Sequence, residues 1–146
     1  ADAPPVALGH RAGQREAAIA CGAGEFVADT DPGGIAELIA ARKPDLIVCA
    51  AGQRGRRAPV LVDRTGIEAL AAGAVIVDLT AKAGGNCVAT VANTTVRLDN
   101  GVVVTHRSNY PAARPRTASR AYGAATAAVI ERWGPGSHSG ELLPEN

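Results

Sequence analysis

The sequence predicts an α/β domain with a mostly parallel sheet, and three observations carry that expectation. The strongest apolar runs, "DLIVCAA" (45–51), "AVIVDL" (74–79) and "VVVTH" (102–106), do not alternate with polar residues. Continuous runs of that length fit strands covered on both faces. Between them lie segments of helical period, so strand and helix alternate along the chain. Finally, the chain is 47% hydrophobic but only 3% aromatic and has no Met. Its core must therefore be built from Ala, Val, Ile and Leu, which suits helices lying close on a sheet.

Taken in order, "PVALG" (5–9) is a short strand and "AGQREAAIACG" (12–22) a helix, with Gly22 as its stop. "EFVA" (25–28) is a second short strand. "TDPGGIAELIAARKPD" (30–45) reads as a helix with Asp31 at the N-cap and Pro32 in the first turn. Ile35, Leu38 and Ile39 form its apolar stripe, and Pro44 ends it. The strand at 45–51 empties into a polar loop, "GQRGRRAP" (52–59). Thr65 and Glu68 have capping-box spacing, so a helix is expected through Ile67, Leu70 and Ala71 to Gly73. After the strand at 74–79, residues 81–101 are irregular, with a short strand near 94–98 and a turn at Asn100-Gly101. The strand at 102–106 leads to the longest helix, 117–133, whose stripe runs Tyr122, Ala125, Val129, Trp133.

At 146 residues the chain suits one domain, expected over 1–133, with "GPGSHSGELLPEN" (134–146) as a flexible tail. The net charge of +1 gives no reason to expect nucleic acid or a membrane surface. No apolar run approaches the roughly 18 residues of a spanning helix, and the start does not read as a signal peptide. Cys21, Cys49 and Cys87 are odd in number and lack metal-ligand spacing. Cys49 lies inside an apolar run and reads as a core residue. A reducing, cytoplasmic setting is expected, with no metal.

Right-handed crossovers place every parallel strand's C-terminus on one edge of the sheet, where ligands of open α/β sheets sit. Three unusual segments leave that edge: "GQRGRRAP", "TAKAGGNC" and "RSNYPAARP". Asp78 ends its strand and is either a ligand-facing carboxylate or an acceptor for loop N–H groups. The "AGGNC" loop either lets backbone approach a cofactor or is simply a tight turn. Lys82 neutralises an anion or is solvated. Arg54, Arg56 and Arg57, with Arg107, Arg114, Arg116 and Arg120, clamp a phosphate or form a solvated surface. His106 ends a strand as a satisfied polar residue. No His-Asp-Ser constellation is evident, so catalytic residues stay unknown. There is no G-x-G-x-x-G between a strand and a helix to hold a pyrophosphate. "GAGEFV" precedes a strand, and Gly9 or His10 stands where an acid for the ribose is expected.

"AVIVDLTAKAGGNC" (74–87) resembles the "VIVDLA…GGNC" segment of the NAD-binding domain of NAD(P) transhydrogenase alpha subunits, shared more distantly with alanine dehydrogenases. "RRAPVLV" (56–62), "NGVVVTHRSNYPAARPRTAS" (100–119) and "GAGEFV" are similar to further family segments in the same order. The resemblance covers roughly residues 5–133. It implies a Rossmann-type three-layer domain, shortened at its first β-α unit, with NAD(H) as ligand. By position, Ala50, Ala51 and Gly52 lie by the adenine side. Asp78, Leu79, Thr80 and Lys82 line the dinucleotide crevice, and Asn109 and Tyr110 approach the nicotinamide.

The implied function is part of the NAD(H)-binding domain of a hydride-transfer oxidoreductase, in which the cofactor carries the chemistry. The alternative is a shortened non-redox relative. It would bind a small anion through Arg56, Arg57, Asp78, Lys82, Asn109, Tyr110, Arg114 and Arg116, or a protein at the same crevice. Either way an exposed sheet edge implies association, as a homo-oligomer or with a partner chain that completes the sheet.

Overall fold

The computed structural model describes residues 4–28 and 31–132, in two compact units that divide between Ser108 and Asn109. The first unit contains all the strands found among the described residues. Expectations for Trp133 and the segment 134–146 lie outside the described residues.

In the first unit, β1 (Val6–Leu8) and β2 (Glu25–Val27) pair in parallel. The crossover between them is a 3-10 turn at Ala12–Gln14 running into α1 (Arg15–Ala20). Gly22, at φ 97°, stops this helix as expected. Gly9 is fixed by packing, since a Cβ there would stand 2.6 Å from Gln14 Oε1 and 3.0 Å from the Phe26 ring.

A second sheet has the order β3-β4-β6-β5. β3 (Leu46–Cys49), β4 (Val75–Asp78) and β6 (Val103–Thr105) are parallel, and β5 (Thr95–Arg97) returns antiparallel to β6. The sheet is thus mostly parallel, as the runs predict. Cys49 lies opposite Asp78 and Val77 opposite Thr105, so β3, β4 and β6 end together at one edge.

Register decides which side chains share a face. Ile47, Ile76 and Val104 form one row. They join Ile35 and Ile39 of α2 (Pro32–Arg42), Ile67 of α3 (Arg64–Glu68), and Val62 and Leu70 in the main core. Ile76 is fully buried, which stabilises the fold by about 1.5–3 kcal/mol. The opposite row carries Leu46 and Val48, which are 58% and 56% exposed. A parallel sheet is ordinarily covered on both faces, so this face of β3 is open among the described residues.

The helix caps follow side-chain chemistry, with one correction. Asp31 accepts from Gly33 N and Gly34 N and Pro32 stands in the first turn, as expected. α2 ends at Lys43 in the left-handed region (φ 44°), just before Pro44. The Thr65–Glu68 capping box does not form. Asp63 takes the cap, accepting from Gly66 N at 2.9 Å, and Glu68 pairs with Arg64 instead. The helix there ends at Glu68, short of the expected Gly73.

The second unit, taken by itself, opens with Asn109 in the left-handed region (φ 59°) and a 3-10 turn at Tyr110–Ala113. α4 (Pro115–Arg132) follows and buries none of its residues. Its expected stripe is exposed, with Tyr122 at 78% and Val129 at 47%.

Candidate functional site

The connectors after β3 and β4 are held together at the sheet's carboxyl edge by two polar side chains. Asp78, the last residue of β4, is fully buried. Its Oδ1 accepts from Thr80 N (2.8 Å) and the Thr80 hydroxyl (2.7 Å). Its Oδ2 accepts from Asn86 N (2.7 Å), Cys87 N (3.1 Å) and the Thr90 hydroxyl (2.7 Å). Of the two readings of Asp78, these bonds carry the loop-acceptor one. Burial alone would raise its pKa, but the bonds from Thr90, Thr80 and the Cys87 N–H outweigh it and hold the carboxyl below its ordinary value.

Asn86 extends the clasp. Its Oδ1 accepts from Ala51 N at 3.0 Å, and its Nδ2 donates to Ala51 O (2.8 Å) and Pro59 O (2.7 Å). Its backbone O accepts from Leu61 N and Val62 N. One buried amide therefore joins three stretches of chain: the end of β3, residues 59–62 and the "AGGNC" loop. Its place directly after two glycines is the only trace of this role in the sequence.

Those glycines are a conformational requirement. Gly84 (φ 108°) and Gly85 (φ 83°) both occupy the left-handed region, which glycine enters without steric cost. A Cβ on Gly84 would lie 3.0 Å from Arg57 Nε, so the Arg57 side chain lies across the loop. Ala58 N donates to Ala83 O at 2.8 Å, reinforcing that contact.

The structure brings most of the expected site residues together. Leu79 N donates to Cys49 O at 2.8 Å, beside Ala50 and Ala51. A Cβ on Gly52 would touch the Thr80 methyl at 3.5 Å. Ala50, Gly52, Leu79 and Lys82 are exposed around this edge, while Thr80 turns its hydroxyl down to Asp78. Asn109 and Tyr110 belong to the second unit. There Arg116 and Arg120 line a shallow groove with Pro115 and Ser119. Arg54, Arg56, Arg57, Arg107 and Arg114 are exposed.

The free cysteines are two buried and one exposed. Burial first, then the charge of Asp78 and the neighbouring Cys87, pushes the Cys49 thiol up to about 12. Burial also raises Cys87. Neither is an activated thiolate. Among the described residues no three His, Cys, Asp or Glu side chains converge as a metal set. Among those residues, too, no helix is long and apolar enough to cross a membrane.

A family model described as "Alanine dehydrogenase/PNT, C-terminal domain" matches residues 13–142. The NAD(P) transhydrogenase subunit alpha of Haemophilus influenzae is 36% identical over 83 residues, covering 57% of this chain and 16% of that protein. The subunit of the same name from Cereibacter sphaeroides is 35% identical over 78 residues, 53% of this chain and 15% of the relative. The crystal structure of transhydrogenase from Sinorhizobium meliloti superposes with a TM-score of 0.68 at 28% identity, covering 87% of this chain and 36% of that one. An L-alanine dehydrogenase superposes at 0.69 with 24% identity, covering 90% of this chain and 37% of that one, a likeness of fold. The chain thus spans less than a fifth of the curated relatives and little over a third of the solved chains.

Proposed function

This chain belongs to the alanine dehydrogenase/PNT C-terminal domain family, and from that premise we propose that its sheet edge holds one side of NAD(H) within a hydride-transfer oxidoreductase. The observation that carries the reading is the shared edge at which β3, β4 and β6 end, with the β3 and β4 connectors latched by Asp78 and Asn86. Such an edge is where ligands of open parallel sheets bind.

The residues fit part of a dinucleotide. Ala50, Ala51, Gly52 and Leu79 offer small or apolar surface to a flat ring, and Lys82 offers a cation for its charged groups. Asn109 and Tyr110 are assigned to the nicotinamide by the resemblance. Asp78 acts from beneath, by fixing the loop. The cofactor, when bound, supplies the hydride chemistry, so the protein's part is to hold and orient the ring.

The sequence contains no glycine fingerprint for the diphosphate. The open edge of β3, with Leu46 and Val48 exposed beside it, supports a further strand adding there. Such a strand, followed by a glycine-rich turn and a helix, would complete both the sheet and the diphosphate site. NADH fluorescence is the test, titrated into the chain alone and then with a polypeptide bearing that strand–turn–helix unit. Saturable enhancement in either mixture supports the reading, and its absence in both overturns it.

One observation favours a second reading. Arg57, lying across Gly84, puts a guanidinium beside the same loop, as recognition of a small anion requires. Saturable binding of inorganic phosphate that NADH does not displace would support this alternative.

A further inference from the structure

His106 directly follows β6, at the edge where β3, β4 and β6 end. It is only 6% exposed, and its backbone N donates to Thr94 O at 3.1 Å. Asn93 N donates to its Nδ1 at 2.9 Å. Asn93, in the left-handed region at φ 57°, also accepts from Ser108 N through Oδ1 at 2.8 Å. The imidazole is thus held on one side by the loop between β4 and β5, and that loop holds the chain just beyond it.

The expectation that His106 is simply a satisfied polar residue covers only half of the ring. An Nδ1 that accepts a hydrogen bond carries no proton, so the neutral imidazole bears its proton on Nε2. Nε2–H has no hydrogen-bond partner among the described residues. A side chain more than nine-tenths buried, on the residue that follows β6 at the sheet's carboxyl edge, therefore keeps one oriented N–H donor without a partner among the described residues. A rotationally fixed donor loses little entropy when it binds.

We propose that His106 is a ligand-binding residue whose Nε2–H donates to an oxygen acceptor of the dinucleotide. This rests on the NAD(H) reading above and adds a contact to it. Asn93 is the positioning residue, since its N–H selects the tautomer.

Two variants separate the ring's nitrogens. In His106→Asn the side-chain oxygen stands near Nδ1 and still accepts from Asn93 N, but no donor remains at the Nε2 position. In His106→Gln an amide N–H stands near Nε2. NADH affinity should fall about tenfold in His106→Asn, with the Asn93 and Ser108 amide resonances unmoved. His106→Gln should recover most of the affinity. In the wild-type chain, saturating NADH should shift the Nε2 nitrogen resonance and leave Nδ1 in its acceptor range. If the wild type binds NADH while Nε2 does not move, or His106→Asn binds equally well with its Asn93 amide in place, the inference alone is overturned. If the wild type binds no NADH, alone or with the completing segment, the NAD(H) reading falls and takes this contact with it.

Discussion

The Asp78 carboxylate receives the Asn86 backbone N–H at 2.7 Å, and through that bond a strand end sets the shape of the loop beyond it. The Asn86 side chain passes the constraint on to Ala51 and Pro59. The candidate ligand wall is thus built from backbone that two buried polar groups hold in place. Each donor around Asp78 meets a carboxylate oxygen, so the buried charge is well compensated.

Replacing that charge should be costly. Asp78→Asn keeps the size but turns an N–H₂ toward hydroxyl and backbone donors. A hydrogen bond to a charged group contributes about 1.5–3 kcal/mol, and buried donors left unpaired add to the loss. We expect Asp78→Asn to lose about 3 kcal/mol or more in urea unfolding. A loss below about 1 kcal/mol would show that the donors find other partners.

The same carboxylate sets a pH dependence. Its folded pKa lies below the ordinary value, so the unfolded chain takes up its proton first as pH falls. Its stabilising contribution is complete above the unfolded pKa of about 3.9. It declines below that and is lost as pH passes the folded pKa. Acid unfolding of the wild type should therefore steepen below about pH 4, while Asp78→Asn lacks that component. Parallel acid limbs in the two proteins would contradict this assignment.

Asn86→Ala removes the bonds to Ala51 N, Ala51 O and Pro59 O. At about 1 kcal/mol net for each bond, with extra cost for buried groups left unpaired, the loss should be about 3 kcal/mol. Asn86→Asp should be worse near neutral pH, since a carboxylate would face two carbonyl oxygens. Hydrogen exchange at the Ala51 amide should accelerate in both variants. An Ala51 amide as protected as in the wild type would show that Asn86 does not hold this connector.

Thiol chemistry gives an independent check on the core. Cys49 and Cys87 are buried with raised pKa values, and Cys21 is exposed. Iodoacetamide at pH 8 should label Cys21 in the native chain and reach the other two only on unfolding. Native labelling of Cys49 would mean that the β3 end opens on the experimental timescale.

Much of this was legible because it is local. The unbroken runs at 45–51, 74–79 and 102–106 mark β3, β4 and β6, since covered strands leave no room for polar alternation, although β3 keeps its apolar run with one face open among the described residues. Asp31 and Gly22 behave as their chemistry dictates, one by accepting N–H groups and the other by entering positive φ. The "AGGNC" loop announced its glycines but not the reach of Asn86, whose side-chain partners lie 35 and 27 residues away. The Asn93–His106 bond spans 13 residues and likewise depends on how β5 and β6 are aligned. At the start of α3 two cap-type residues compete, and Thr65 lost to Asp63 because the Asp63 carboxylate reaches Gly66 N. Spacing alone cannot rank such neighbours.

Gly85 joins the loop's conformation to the Asp78 clasp, so it offers the sharpest test of both. It lies at φ 83°, where an L-residue is strained by about 1–2 kcal/mol. A Cβ there would also stand 3.0 Å from Asp78 Oδ2 and 3.0 Å from Thr90 Cβ. Neither neighbour can yield cheaply, since the carboxylate is held by several donors and Thr90 donates its hydroxyl to it. Crowding of this kind costs a further 1–3 kcal/mol or so. Gly85→Ala should therefore lose about 3 kcal/mol or more in urea unfolding. The exposed neighbour makes a graded control. Gly84→Ala carries the φ strain but meets Arg57, a long side chain that can swing aside, so its loss should stay near 1–2 kcal/mol. Equal losses at the two positions would mean that backbone strain alone sets the cost and that Asp78 does not crowd the loop.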